Sequence, residues 1–260
     1  MPPETKRANV LGLPVDALSL EEACSCLMNF LQNRKTECPE IFHVVTMNAE
    51  MAIQALEDAD LGDIIKRASL VTPDGIGVVW AIARQQSGPR VVKVAGVDLV
   101  QALVARIAQT GHRLYLLGGK PGVAEAAAVA LQQRYSGLQI TGCHHGFFSP
   151  EDEPDLLDKI KAARPDILLV ALGVPRQEKW IERHRNELQA TIAIGVGGSL
   201  DVFAGRVRRA PATFQRLHLE WLYRLIQEPW RMKRMRSTLP PFVYRVLTQN
   251  SNTQRVEEKP

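Results

Sequence analysis

Ser69-Leu70-Val71-Thr72-Pro73-Asp74-Gly75-Ile76-Gly77 is a short apolar run that stops at a proline, a carboxylate and two glycines. Leu70-Val71 reads as a strand that ends where Pro73 removes a backbone donor and Gly75 lets the chain turn tightly. Asp74 then lies at the carboxyl end of a strand, the edge of an open α/β sheet at which ligands bind. Ile76, Val79, Trp80 and Ala83 have helical spacing, so a competing reading makes Asp74 the cap of the helix that follows.

Apolar runs of strand length recur to either side: Ile41–Thr46, Val91–Val94, Leu114–Leu117, Leu138–Ile140, Ile167–Leu172 and Ile192–Val196. Helical patterns separate them, the first opened by Ser19-Leu20-Glu21-Glu22, the rest near 49–56, 97–110, 121–135, 151–163 and 176–188. Such alternation predicts an α/β fold, a mostly parallel sheet with helices on both faces, in one doubly wound domain over 1–202. Beyond it only helical patterns are expected. These are 213–227, a break at Pro229, a basic stretch 230–236, a break at Pro240-Pro241 and then 242–247, making a helical appendage over 203–249. Residues 250–260 read as a disordered tail.

The 260 residues are 45% hydrophobic, enough for a substantial core. Four cysteines without CxxC spacing and six histidines without HxxxH or HExxH patterns argue against structural zinc and a zinc hydrolase, so no metal site is expected. Reduced thiols in a cytoplasm are the simpler reading. The polar start Met1–Arg7 has no signal-peptide character, and no apolar run approaches the ~20 residues of a spanning helix. The net charge of +4 is unevenly spread. From Phe203 onward twelve Lys/Arg face four Glu, a local +8, which leaves the remainder at −4. An acidic body with a basic tail predicts an anionic partner for the tail.

Three glycine-bearing strand ends are candidate binding turns. Leu117-Gly118-Gly119-Lys120-Pro121-Gly122-Val123 could bring backbone N–H groups to a diphosphate, or be a plain tight turn. It is neither GxGxxG nor a Walker loop, which argues against a dinucleotide oxidoreductase and an NTPase. In Leu172-Gly173-Val174-Pro175-Arg176-Gln177-Glu178-Lys179-Trp180, Pro175 and Glu178 suit a helix start, whereas Gln177 has no such structural need. Gly195-Val196-Gly197-Gly198-Ser199 repeats the design, with Arg206, Arg208 and Arg209 following. His144 and His145 read as loop residues. In the tail, Trp221 and Trp230 alternate with Arg224, Arg231, Lys233 and Arg234. Three readings follow: a solvated basic helix, a surface for anionic lipid, or a flap carrying arginines to a diphosphate. No nucleic-acid motif accompanies the charge, so no nucleic-acid partner is expected.

Thr46-Met47-Asn48-Ala49-Glu50, Thr72–Gly77, Gly173–Glu178, Gly195–Gly198 and Arg209-Ala210-Pro211 together resemble the WecG/TagA/CpsF glycosyltransferase family, in order, over about residues 10–236. The resemblance implies a Rossmann-like fold and an inverting, metal-independent transfer from a UDP-sugar, N-acetylmannosamine leading, to a polyprenyl-diphosphate-linked sugar in bacterial surface-polysaccharide synthesis. No cofactor is implied. By resemblance Asp74 is the catalytic base, with Thr46 and Asn48 beside it. Gln177 matches a pocket amide, and Arg224, Arg231 and Arg234 match cations of an appendage that docks on an anionic membrane surface. Relatives tend to carry Arg where this chain has Lys93, which keeps the charge and loses the fork. Arg176, Arg209, Gly118, Gly119, Gly197 and Gly198 complete the expected substrate-binding set. The expected location is the cytoplasmic face of the cell membrane, peripherally bound, with a homo-oligomer left open. The competing class is a non-catalytic nucleotide-binding module that docks through its basic tail.

Overall fold

A two-stranded hairpin, β1 (Arg7–Val10) and β2 (Leu13–Asp16), precedes α1 (Leu20–Gln32). The computed structural model describes residues 6–33, 41–85 and 91–248. The tail 250–260, expected to be disordered, lies outside the described residues. Six parallel strands follow: β3 (Phe42–Met47), β4 (Leu70–Pro73), β5 (Arg113–Gly118), β6 (Gln139–His144), β7 (Ile167–Ala171) and β8 (Ile192–Gly195). They form one sheet in the order β4-β3-β8-β7-β5-β6.

The helices between them are α2 (Ala49–Glu57), α3 (Ala59–Arg67), α4 (Ile76–Ala83), α5 (Gly96–Ile107), α6 (Val123–Arg134), α7 (Glu153–Ala163), α8 (Arg176–His184) and α9 (Ser199–Phe203). Alternate residues of each strand feed opposite faces. Val44, Leu116, Leu169 and Ile194 pack with α1, α5, α6 and α9. Val45 and Val71 pack with α2, α3 and α4, and Leu117, Leu168 and Ala193 pack with α7 and α8. The chain therefore leaves β3 on one face and the neighbouring β8 on the other. This divergence opens the crevice at the carboxyl edge that parallel sheets use for ligands.

The hairpin carries no signal in the sequence reading, because its two-residue turn is Leu11-Gly12 rather than Asn-Gly. Both residues have positive φ, 56° and 85°. Its purpose is visible at β4, the outer strand of the sheet. Asp16, 1% exposed and held by Arg7 Nε at 2.8 Å, accepts the Val71 N–H at 2.7 Å. An edge donor that no strand pairs is thereby satisfied.

Four expectations are corrected. Val91–Val94 is not a strand: it makes one backbone bond to the sheet, Val94 N–H to the Pro73 carbonyl at 3.0 Å, just past the end of β4. That crossing brings Lys93 to the edge where Asp74 sits. The helix expected over 213–227 is two, α10 (Ala212–Arg216) and α11 (Glu220–Gln227), divided at His218, whose φ is 58°. Pro240-Pro241 does not break the chain, because both lie inside α12 (Arg231–Thr248). Tertiary burial overrides their helix-breaking tendency. Phe242 is 1% exposed, lies in the same apolar cluster as Met47, Met51 and Val78, and packs on Gly77 of α4. His144 also ends β6 rather than lying in a loop.

α12 is thus a wall of the core as well as a carrier of charge. Phe242→Ala is expected to cost about 3–5 kcal/mol of unfolding free energy, the usual cost of a large core truncation, as read by urea denaturation. A loss below about 1 kcal/mol would show that α12 merely rests on the surface.

Candidate active site

Asp74 emerges directly from β4, its N–H bonded to the Met47 carbonyl at 2.8 Å, so it continues the pairing with β3 past the sheet's end. It does not cap the helix that follows, because the N-cap of α4 is Gly75 and no side chain bonds there. Its carboxylate instead accepts the N–H of Gly96, the first residue of α5. A helix start favours the anion. Burial opposes it and dominates, for Asp74 keeps some surface yet is walled by protein atoms, and its pKa is pushed up to about 6. The Gly96 N–H, Arg224 and Lys93 pull in the opposite direction, and Glu220 adds to the rise. A carboxylate so tuned is largely ionised at neutral pH and still a competent proton acceptor.

Thr46 of β3 and Asn48, just past the end of that strand, adjoin Met47, whose carbonyl holds the Asp74 N–H. Thr46 donates to the Gly195 carbonyl at 2.9 Å and so staples β3 to β8 across the crevice. A methyl on Gly96 would approach Thr46 Oγ1 to 3.3 Å, which sets this threonine beside the Asp74–Gly96 contact. Asn48 caps α2, its Oδ1 accepting Met51 N–H at 2.9 Å. Its amide nitrogen has no hydrogen bond among the described residues.

The cations divide by how they are held. Lys93 Nζ lies 2.6 Å from Glu220, and Arg209 lies 2.5 Å from Asp98 and 3.8 Å from Glu220. Arg231 pairs with Glu228 at 2.7 Å and Arg234 with Glu50 of α2 at 2.6 Å. Arg224 alone of these five has no ion pair among the described residues. It is close enough to bias Asp74 and Asp201 electrostatically, and one of its terminal nitrogens lies 3.3 Å from where a Cβ on Gly198 would stand. A terminal nitrogen of Arg231 lies 4.0 Å from the same point.

The glycine turns are less open than their composition suggests. Gly119 N–H is bonded to the Ala171 carbonyl at 3.1 Å and Gly197 N–H to Gln177 at 3.1 Å, so neither is free for a phosphate. At Gly118, with φ of 132°, a Cβ would stand 2.3 Å from the Ala171 carbonyl oxygen, so the glycine is required by this close approach. Gln177, expected to face a ligand, is 1% exposed and engaged inside the protein. Its Oε1 accepts from Gly173 and Gly197, and its Nε2 donates to Glu178 at 2.7 Å. Arg176 sits farther along the edge, bonded to the Gly146 carbonyl at 2.9 Å and lying over the Phe148 ring. Asp74, Thr46, Lys93, Arg224 and Gly198 therefore converge at the β3/β4/β8 end of the edge. Gly118, Gly119 and Arg176 stand toward β5 and β7.

Sequence reasoning missed Glu220, Asp98 and Gly96. The only local clue to Glu220 is its spacing of four from Arg224 on α11, which puts both on one side of the helix. Among the described residues no group of three or more His, Cys, Asp or Glu side chains is arranged to hold a metal ion.

The sequence profile of the glycosyl transferase WecG/TagA/CpsF family matches residues 8–256. The chain is also similar to N-acetylglucosaminyldiphosphoundecaprenol N-acetyl-beta-D-mannosaminyltransferases of Staphylococcus aureus. Identity is 36% for the proteins of strains MW2 and NCTC 8325 and 35% for that of strain MRSA252, each alignment covering 93% of this chain and 92% of the relative. With a tuned carboxylate and an arginine that has no ion pair among the described residues facing one crevice, and with both comparisons spanning nearly the whole sequence, the chain belongs to the WecG/TagA/CpsF family of glycosyltransferases.

Proposed function

We propose that this bacterial glycosyltransferase moves N-acetylmannosamine from a UDP-sugar to an N-acetylglucosaminyl-diphosphate lipid, with inversion at the anomeric carbon. Membership of the family sets aside the non-catalytic module. The observation that carries the mechanism is the placement of Asp74, its pKa near 6, and of Arg224, beside Gly198, at one switch-point crevice, close enough for the arginine to bias the acid. Asp74 takes the proton from the acceptor hydroxyl as that oxygen attacks the anomeric carbon from the face opposite UDP. The bond to UDP breaks, and its extra negative charge is met by Arg224, supported by Arg231, in place of a metal ion. Thr46 and Asn48 shape the space around the base.

In this reading residues 1–202 are the core and 203–249 the appendage that completes the site. No described helix is long and apolar enough to cross a membrane. The appendage nevertheless exposes Leu217, Trp221, Ile226, Trp230, Met232 and Tyr244 among its cations. Aromatic and aliphatic side chains beside arginines suit the interface of an anionic bilayer, where the lipid acceptor resides. The double variant Trp221→Ala/Trp230→Ala is expected to weaken sedimentation with phosphatidylglycerol vesicles about tenfold or more while leaving the melting temperature unchanged. Equal binding by the variant would remove the docking assignment.

The activity is tested by supplying a panel of UDP-sugars with a polyprenyl-diphosphate N-acetylglucosamine acceptor and following UDP release and the anomeric configuration of the product. Inverted product from UDP-N-acetylmannosamine is expected. Retained configuration, or turnover that survives loss of Asp74, would overturn the mechanism.

A further inference from the structure

We infer that Glu178 is a positioning residue of the transferase: it fixes the amide of Gln177, which clasps the two glycine turns at the edge where Arg224 lies. Glu178 occupies the first turn of α8, where an acid ordinarily faces solvent and complements the helix start. This one is completely buried. One oxygen, Oε1, accepts Gln177 Nε2 at 2.7 Å, and Oε2 has no hydrogen-bond partner among the described residues. Burial pushes its pKa up to about 7. An enclosed carboxyl with one bare oxygen is costly, and a leucine would fill the space more cheaply. What the acid contributes is its bond to Gln177.

That bond has a defined consequence. Two backbone N–H groups, Gly173 at 3.2 Å and Gly197 at 3.1 Å, converge on one atom of Gln177, which must therefore be its oxygen. The amide nitrogen is left pointing at Glu178, its only acceptor among the described residues. Gly173 follows β7 and Gly197 follows β8, so one side chain ties together the turns of two adjacent strands. Gly195 makes room for the clasp: a Cβ there would stand 2.6 Å from Gln177 Nε2 and 2.8 Å from Glu178 Oε1. The Gly197–Gly198 turn so held is the backbone on which Arg224 rests. Without an acceptor for its nitrogen, the Gln177 amide is free to rotate, Gly197 loses its partner, and the seat of the leaving group loosens.

The inference rests on the proposed function only for the identity of the donor, and the test separates the two. The full chain, labelled with ¹⁵N-glycine, is compared as wild type, Glu178→Gln, Glu178→Leu and Gly195→Ala. In Glu178→Leu the Gly173 and Gly197 amide resonances are expected to move and their exchange to quicken. The KM for the UDP-sugar should rise about tenfold, with the acceptor KM within about threefold of wild type. Glu178→Gln, which still offers an oxygen to Gln177, should restore both readouts. Gly195→Ala keeps both side chains but drives a methyl into their bond, and should reproduce Glu178→Leu. It decides the matter by the same readouts if Glu178→Leu does not fold. The inference is overturned if the folded Leu or Ala variant keeps the two amides and the donor KM unmoved, or if Glu178→Gln loses as much as Glu178→Leu. Absence of turnover in the wild type with every UDP-sugar would instead fault the proposed function, leaving the amide comparison to decide on Glu178.

Discussion

Asp74→Asn lowers turnover by about 10²–10⁴-fold, the usual range for a general base, while UDP binds within about threefold of wild type. The substitution keeps the shape and an acceptor for the Gly96 N–H and removes only the ability to take a proton. Folding is not the source of the loss. The folded pKa near 6 exceeds the ordinary value of 3.8, so ionisation of Asp74 is disfavoured in the folded chain. Its contribution to stability is therefore greatest at pH below about 4, declines as pH rises through 6, and is an unfavourable plateau above that. At pH 7 the asparagine variant should melt no lower than wild type. The same pKa shapes catalysis. In wild type kcat/KM should rise about tenfold per pH unit up to a break near 6 and then level, and the variant should lack that limb. A variant that retains the limb would move the base elsewhere.

Much of this fold is legible in the sequence because a parallel sheet buries both faces, so β5, β7 and β8 read as unbroken apolar runs. The same signal misleads at Val91–Val94, where β-branched residues cover the core beyond the sheet's end without pairing as a strand. Pro240-Pro241 misleads in the other direction. A breaker is tolerated because Phe242 and Val246, just after it, are held in the core. In the site, Asp74 is readable because strand end, proline and glycine adjoin it in the chain. Glu220 is not, since nothing near it in sequence announces that α11 folds back onto Lys93, 127 residues away. Gln177 shows the limit most clearly. It lacks a structural need within its own helix, and the need lies twenty residues on, at the Gly197 amide.

The second large effect belongs to Arg224, and it should look unlike that of Asp74. An arginine that meets charge only as UDP departs acts mainly on the transition state, so Arg224→Ala is expected to lower kcat about 10²–10³-fold. It should also weaken product inhibition by UDP, which Asp74→Asn leaves intact. Arg224→Lys restores part of the rate, because a point charge replaces the two-pronged donor. Arg234 offers the control within the same appendage. It is held 2.6 Å from Glu50 with half its side chain in solvent, an arrangement that fastens α12 to α2. Its replacement by Ala is expected to cost at least tenfold less in kcat than loss of Arg224. Lys93, Arg209 and Arg234, each in an ion pair that joins the appendage to the sheet domain, then serve to hold the appendage in place, while Arg224, with no ion pair among the described residues, serves the chemistry with Arg231 beside it. Equal losses at Arg224 and Arg234, each with unchanged UDP inhibition, would mean that both arginines act only by holding the helices in place, and that the departing diphosphate is met by another group.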